Sequence, residues 1–314
     1  MEVPLSIIIV NWNTLDLLRD CLESVYEGLR GTDAQVIVVD NASEDGSADM
    51  VAEQFPQVEL IRNSENHGFA KANNQGFALA RGKYVLLLNS DTIVHGDVLQ
   101  QSVAYMEAHP QVGGFGCRVL NTDGTVQLTC SMYPSLLNTA LLTSGLWKLS
   151  WPRFFGRYQM SNWQRDSERP VEVISGCYLM LPRKVIDDVG GLDEAFWFFG
   201  EDDDWCRRIR EAGWELKFAP VGEITHHGSA SARKFEHRRD MMLTQAKVRL
   251  HRKHSGFAAA AACWTLLLFF NSSRALFWSI RSLFGGPVAR ERAVHFIRVT
   301  AAFNEVWVPA ESGK

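Results

Sequence analysis

Four consecutive carboxylates, Glu201, Asp202, Asp203 and Asp204, stand between the apolar run Ala195-Phe196-Trp197-Phe198-Phe199 and the helix-like stretch Trp205-Cys206-Arg207-Arg208-Ile209-Arg210. Like charges crowded beside aromatic surface repel, so the run costs stability unless a cation, a substrate proton or the flanking arginines offset it. Acids after Gly200 also suit a helix N-terminus, where they complement the dipole. Taken alone, the run reads as a cap more readily than as a catalytic group. Two further groups change the balance. Asp91 closes the apolar run Tyr84-Val85-Leu86-Leu87-Leu88 through Asn89-Ser90. That position suits a turn residue, and equally a ligand for a hard divalent cation of the Mg or Mn type. His226-His227 offers an imidazole to the same ion, and neighbours on a strand face opposite ways, so at most one of the pair would be a ligand.

Such groups work only if the fold brings them to one edge. Through the first half, short β-branched runs alternate with helical patterns: Ile7 to Val10, Leu15 to Tyr26, Val36 to Val39, Ala48 to Phe55, Val58 to Ile61, Ala70 to Ala80, and Tyr84 to Leu88. This alternation predicts βαβ units and a mostly parallel sheet covered by helices. Ligands of such sheets lie at the carboxyl ends of the strands. The residues there are polar: Asn11-Trp12-Asn13, Asp40-Asn41-Ala42-Ser43 and Asn89-Ser90-Asp91, with the turn Asn66 to Gly76 opening a helix between them. No G-x-G-x-x-G follows the first strand, which removes the main support for a dinucleotide dehydrogenase. Beyond residue 111 the pattern loosens. Asn121-Thr122-Asp123-Gly124 marks a hairpin turn, Leu136 to Trp163 reads as a helical lid or a surface helix pair, and Val171 to Leu181 resumes as a strand.

The 314 residues, 46% hydrophobic and 22% charged, suit one large domain with an appendage or two modest domains. A net charge of -4 hides an asymmetry: residues 1–230 carry 18 Lys and Arg against 31 Asp and Glu, and residues 231–314 carry 14 against 5. A basic tail on an acidic body points to an anionic partner, a membrane surface or a phosphorylated substrate, or to a solvated basic helix. Six scattered cysteines without a C-x-x-C pair argue for buried thiols in a reducing compartment. Ser6 to Val10 is too short for a signal sequence, and a cytoplasmic start is expected. In the tail, the basic stretch Lys234 to His254 precedes the uncharged run Phe257 to Phe270. Fourteen residues fall short of the roughly 20 that span a bilayer. With Asn271-Ser272-Ser273-Arg274 and Ala275 to Ile280 following, the segment fits a helix lying in the membrane surface, or one packed on the protein body.

Assembled in order, these motifs resemble family-two inverting glycosyltransferases of the GT-A fold, and within them the bacterial rhamnosyltransferase-like branch. The match rests on Ile8 to Asn13, Val38 to Ser43 with Asp45-Gly46-Ser47, Asn66 to Gly76 and Leu88 to Asp91. It continues through Ser175-Gly176, Gly190 to Glu194, Gly200 to Trp205 with Arg208, Ala212-Gly213-Trp214 and His226 to Ser231. The resemblance implies an α/β fold with a mostly parallel central sheet and a C-terminal helical, membrane-associating extension. It implies a catalytic domain over residues 1–255, divided into a nucleotide-binding half (1–110) and an acceptor and catalytic half (111–255), followed by the extension at 256–314.

The resemblance also assigns roles. Asn11, Trp12, Asn13, Asp40, Asn41, Asn66, Gly68 and Lys71 fall on the nucleotide and donor side, with Asn89-Ser90-Asp91 in place of the D-x-D metal motif. Asp91 and His226 would hold a divalent cation, Mg or Mn. Asp202 matches the general base, beside Glu201, and Ser175, Gly176 and Trp205 fall on the acceptor side. Like-charge repulsion from Glu201, Asp203 and Asp204 would raise the pKa of Asp202, with Arg207 and Arg208 limiting the rise; Asp204 and Arg208 would pair along the helix. The implied partners are a nucleotide-diphosphate sugar, dTDP-rhamnose ahead of a UDP-sugar, and a lipid-linked or polysaccharide acceptor at the inner face of the plasma membrane. A homodimer is left open, and no nucleic acid is expected. A sugar-phosphate nucleotidyltransferase shares the sheet type but usually carries a Gly-rich basic loop that Asn11 to Thr14 lacks. A catalytically silent scaffold need not retain Asp91, Asp202 and His226 together.

Overall fold

The computed structural model describes residues 3–148, 153–228 and 236–307. Ser229 to Ser231, the end of the His226 motif, and Lys234 lie outside them. The described residues fall into two compact units: those within 1–133, 159–197 and 201–231, and those within 134–158, 198–200 and 232–314.

The first unit is built on the expected alternation. Strands β1 (Val3–Asn11), β2 (Ala34–Asp40), β3 (Glu59–Arg62) and β4 (Gly82–Asn89) are linked by helices α1 (Leu15–Leu29), α2 (Ser47–Gln54) and α3 (Gly68–Leu79). β5 (Thr92–Val94), α4 (Val98–Ala108) and β6 (Val112–Leu120) follow, and then β7 (Cys130–Ser131). After α5 (Leu136–Ser144), which belongs to the second unit, come β8 (Arg169–Pro170), β9 (Val173–Ile174), β10 (Tyr178–Pro182), α6 (Arg183–Val189), α7 (Glu201–Glu211) and β11 (Glu215–His226). Among the described residues the main sheet has nine strands in the order β3-β2-β1-β4-β10-β6-β11-β5, with β8 beside β11. β3, β2, β1 and β4 run parallel, whereas β10 is antiparallel to both β4 and β6.

Both faces of the sheet are buried, which is why its strands read as unbroken apolar runs. Leu5, Ile7 and Ile9 of β1 pack with Leu18, Leu22 and Val25 of α1 on one face. Ile8 packs on the other with Ala72 and Phe77 of α3. A Cβ at Gly76 would collide with Ile8, so the glycine lets α3 settle directly on β1.

Two strands depart from the sequence reading. Val171 to Leu181 is not one strand: β9 pairs with β7, and the chain breaks at Ser175-Gly176 before β10 joins the main sheet. Conversely, Trp214 to Phe218 reads as a short strand closed by a turn at Pro220, yet β11 runs on past Pro220 to His226 by means of a register shift between Phe218 and Glu223. A bulge accommodates a proline that has no N–H to give the ladder.

In the second unit α8 (Glu236–Ser282) is interrupted at Gly256, whose φ of 81° breaks the helical path, and is followed by α9 (Pro287–Ala301). Val248, Ala260, Cys263 and Leu267 pack against Val299, Phe303 and Val306. The uncharged run therefore has one face in a small core, while Phe257, Phe269, Leu276 and Phe277 are exposed. Residues Arg238–Ser282 are long and apolar enough to cross a membrane, on length and composition alone.

Ile8→Ala should lower the unfolding free energy by about 3 kcal/mol, the range for a large-to-small change in a rigid core. Urea unfolding checks this, and a loss below about 1 kcal/mol would contradict the two-faced packing of β1.

Candidate active site

The carboxyl ends of β1, β2 and β4 are joined by a chain of polar contacts. Asn11 Nδ2 donates to Asp40 Oδ1 at 3.0 Å and to Ser43 Oγ at 3.1 Å, and the Ser43 N–H donates to Asp40 Oδ2 at 3.0 Å. Thr14 Oγ1 donates to Asn11 Oδ1 at 2.6 Å and lies 3.0 Å from Ser90 Oγ, which ties the first strand to the Asn89-Ser90-Asp91 turn. Asn13 takes a positive φ of 54°, tolerated by asparagine, and its Oδ1 accepts from the Glu44 N–H. Asn41 Nδ2 donates to Asn66 Oδ1 and to the Gly68 carbonyl, which anchors the turn ahead of α3. A Cβ at Gly68 would strike the Trp197 carbonyl, to which the Phe69 N–H donates at 2.9 Å. Asn11, Asp40 and Asn41 are buried, so these contacts replace solvation that the strand ends have lost.

β11 delivers His226 to the same edge, where its Nε2 lies 3.1 Å from Asp91 Oδ1 and 3.1 Å from Asn89 Nδ2. The far side of the ring is fixed by Gln127. Gln127 Nε2 donates to Asn121 Oδ1 at 2.8 Å and reaches the His226 carbonyl at 3.4 Å, so Gln127 Oε1 is the acceptor that meets His226 Nδ1 at 2.6 Å. The Nδ1 proton is thereby committed, and Nε2 is turned toward the Asp91 carboxylate. Among the described residues no three His, Cys, Asp or Glu side chains gather into a complete cage. Asp91 and His226 nevertheless fit a divalent cation of the Mg or Mn type, because such ions keep several positions for water and substrate phosphate oxygens.

The acidic run opens α7, as a cap reading expects, yet its members do different things. Asp204 is fully buried and paired with Arg208 Nε at 2.8 Å, and Arg208 also donates to the carbonyls of Val189 and Gly191. Asp202 Oδ2 accepts from the Gly176 N–H at 2.9 Å, while its Oδ1 is shielded and has no hydrogen-bond partner among the described residues. Burial pushes the Asp202 carboxyl up to about 6, against the pull of the Gly176 N–H. The residue as a whole is half-buried, but the enclosed carboxyl group governs its titration. Glu201, behind it, is held well above the usual carboxylate range by burial first, and then by the charges of Asp202 and Asp203.

The two carboxylate centres adjoin one another across the β9–β10 break. Gly176 binds Asp202, and the next carbonyl, that of Cys177, accepts from the Asn89 N–H at 3.3 Å. The Cys177 thiol lies within the field of both carboxylates. Burial first, then Asp202 and Asp91 among its neighbours, hold it near 12.

Three sequence expectations are corrected. Trp205, placed on the acceptor side, is 0% exposed, donates to the Gly190 carbonyl and packs at a tilt against Phe77 with ring centres 5.3 Å apart, so it meets no acceptor. The rise in Asp202 comes from burial rather than like-charge repulsion. The arginines do not restrain it: Arg207 pairs with Glu211, and Arg208 with Asp204. Lys71 is exposed on the first turn of α3, outside the hydrogen-bonded network, and Ser175 bonds locally to the Thr129 carbonyl and the Cys177 N–H. Trp12 is half-buried at the end of β1. Gln127 escaped sequence reading because it acts on a histidine 99 residues away.

The fold is a mixed α/β sheet whose polar strand ends carry an Asp–His pair and, close by, a buried carboxylate. Comparison with known proteins narrows this. The family model for glycosyl transferase family 2 matches residues 6–190, and one described as the N-terminal domain of galactosyltransferase matches residues 157–230. The chain belongs to glycosyl transferase family 2 and is an enzyme of that class. An N-acetylglucosaminyl-diphospho-decaprenol L-rhamnosyltransferase of Mycobacterium tuberculosis is 26% identical over 250 residues, which covers 74% of this chain and 79% of the relative. An O-antigen biosynthesis protein of Myxococcus xanthus is 27% identical over 230 residues, 73% of this chain and 18% of that one. A mannosyltransferase from Pyrobaculum calidifontis, solved in complex with GDP-Man and Mn2+, shares the GT-A fold with a TM-score of 0.55 and 17% identity, over 98% of this chain and 88% of its own.

A carboxyl raised from 3.8 to about 6 favours its protonated form in the folded state, so ionised Asp202 costs stability above that pH, and the cost fades as the pH falls toward 3.8. Asp202→Asn should therefore raise the thermal midpoint by a few degrees near neutral pH, with the gain shrinking as the pH is lowered through about 6. A midpoint lowered near neutral pH would contradict the assigned burial cost.

Proposed function

We propose that this glycosyltransferase moves a sugar, rhamnose before others, from a nucleotide diphosphate to a lipid-linked or polysaccharide acceptor in cell-envelope glycan synthesis, with inversion at the anomeric carbon. The observation that carries this reading is Asp202: one oxygen is held by the Gly176 N–H and the other has no partner among the described residues, beside the Asp91–His226 pair. The named activity of the mycobacterial relative supports rhamnose and a lipid-linked acceptor. The nucleotide and cation of the mannosyltransferase complex support a nucleotide-sugar donor and a divalent ion.

In this mechanism Asp202 takes the acceptor hydroxyl's proton as its oxygen attacks the anomeric carbon, on the face opposite the leaving diphosphate. A base with a pKa near 6 is ionised at neutral pH and still accepts a proton as the hydroxyl is consumed. Burial raises the carboxyl of Glu201 behind it well above the usual range, which disfavours a second negative charge beside the base. Asn11, Asn13, Asp40, Asn41 and the Asn66–Gly68 turn shape the nucleoside side, with Lys71 free to swing toward phosphate. Asp91 and His226 would hold the Mg or Mn ion, with Gln127 setting the ring. When bound, that ion supplies charge stabilisation to the leaving diphosphate.

Residues 1–255 would carry the chemistry, and 256–314 would hold the enzyme at the cytoplasmic face of the plasma membrane. The polar group Asn271-Ser272-Ser273-Arg274 and the outward Phe269, Leu276 and Phe277 suit a helix lying in the surface rather than one crossing it.

Asp202→Asn should cut turnover by at least about 100-fold, while nucleoside-diphosphate affinity in the presence of Mn2+ stays within about twofold. In the same calorimetry Asp91→Ala should lose the Mn2+-dependent part of that affinity. Undiminished turnover would remove Asp202 as the base, and undiminished Mn2+-dependent binding would remove Asp91 from the cation site.

A further inference from the structure

The helices of the C-terminal unit border an open cleft of about 800 Å³ that the transfer chemistry does not use. Lys148, Arg239, Arg274 and Arg292 line it, together with the aromatic rings of Phe277 and Trp278. Its two acids do not cancel these charges: Asp240 is held by His295 Nε2 at 2.9 Å, and Glu291 is an exposed residue of α9. Among the described residues, Arg239, Arg274 and Arg292 make no ion pair with a carboxylate. Arg239 Nε is buried without a hydrogen-bond partner among the described residues, an arrangement that wants an acceptor. Arg274 lies 3.5 Å from the centre of the Phe270 ring and makes one long contact, 3.4 Å, with the Thr143 carbonyl. Arg292 lies 4.7 Å from the Trp278 ring centre, which leaves the edges of its guanidinium for a ligand.

The cleft adjoins the strongest apolar exposure on this unit. Phe277 belongs both to the lining and to an outward strip that runs through Leu276, Ile280, Leu283, Phe284 and Val288, with Leu283 75% and Phe284 85% exposed. Guanidinium groups awaiting an oxyanion beside a strip awaiting hydrocarbon match one molecule that carries both. A soluble phosphate would leave the strip bare, and an apolar peptide would leave the arginines unpaired.

We propose that this cleft binds the phosphate of an anionic phospholipid, with the acyl chains against the Leu276–Val288 strip. The C-terminal unit then recognises a headgroup at a defined site, beyond diffuse attraction to a negative surface. The proposal rests on the reading that the enzyme works at a membrane face, and the test separates the two.

The full-length protein is floated with phosphatidylcholine vesicles, with or without phosphatidylglycerol, at about 0.3 M salt, where diffuse attraction is screened. The wild type should bind the phosphatidylglycerol vesicles. R239Q/R274Q/R292Q should bind at least about tenfold more weakly, and the charge-matched R281Q/R290Q/R298Q at most about threefold more weakly. Unchanged Mn2+-dependent nucleoside-diphosphate binding certifies that each variant is folded. Equal losses in the two variants overturn the cleft and leave membrane association standing, whereas a wild type that binds no vesicle overturns both. Calorimetry with monomeric short-chain phosphatidylglycerol should give one saturable site, at least about tenfold tighter than inorganic phosphate. Equal affinity for inorganic phosphate would overturn a lipid occupant.

Discussion

The carboxyl group of Asp202 sits where burial works against its charge, and a single backbone hydrogen bond, from Gly176, holds it in place. Much of the local architecture follows from that contact. A Cβ at residue 176 would stand 2.9 Å from Asp202 Oδ1 and 3.3 Å from the Phe69 ring, so only glycine lets the backbone come this close. The same residue lies at the break between β9 and β10. Just beyond it the Cys177 carbonyl receives the Asn89 N–H, one step past the Tyr178–Leu88 pair, which keeps the end of β4 near the acid.

Around this contact, each part of the sheet edge restrains a different degree of freedom. The Asp40–Asn11–Thr14–Ser90 chain fixes three strand ends relative to one another, because a shift of one strand would leave buried polar groups unpaired. Gln127 fixes the tautomer and plane of His226 from outside the sheet edge. The Asp204–Arg208 pair, with two further carbonyls on the guanidinium, locks the first turn of α7 and so fixes where Asp202 points. In the proposed mechanism these restraints are pre-organisation: the groups are held in place before substrate arrives.

The strands of the first half were legible in the sequence because they are buried on both faces. Runs such as Ile7 to Val10 and Leu86 to Leu88 have no competing reading when bounded by polar turns. The polar strand ends were legible for the converse reason, since Asn11, Asp40 and Asn89 interrupt apolar runs where solvent is scarce. What stayed hidden depends on long-range contact. Gln127 and Gly176 act on partners 99 and 26 residues away, and no local period marks them. Trp205 misled for a related reason. Its place in a family motif suggested ligand contact, whereas the ring packs on Phe77 beneath the helix. The cause of the Asp202 shift was misread as well, because four adjacent acids in a sequence look like mutual repulsion until the helix sends their side chains in different directions.

The pH dependence of kcat/KM tests the central claim most directly. If Asp202 is the base and its carboxyl titrates at about 6, the rate should fall about tenfold per pH unit below that value, and the residual rate of Asp202→Asn should lack this limb. A wild-type profile flat down to the ordinary carboxylate range, or a limb that persists unchanged in the variant, would contradict the account.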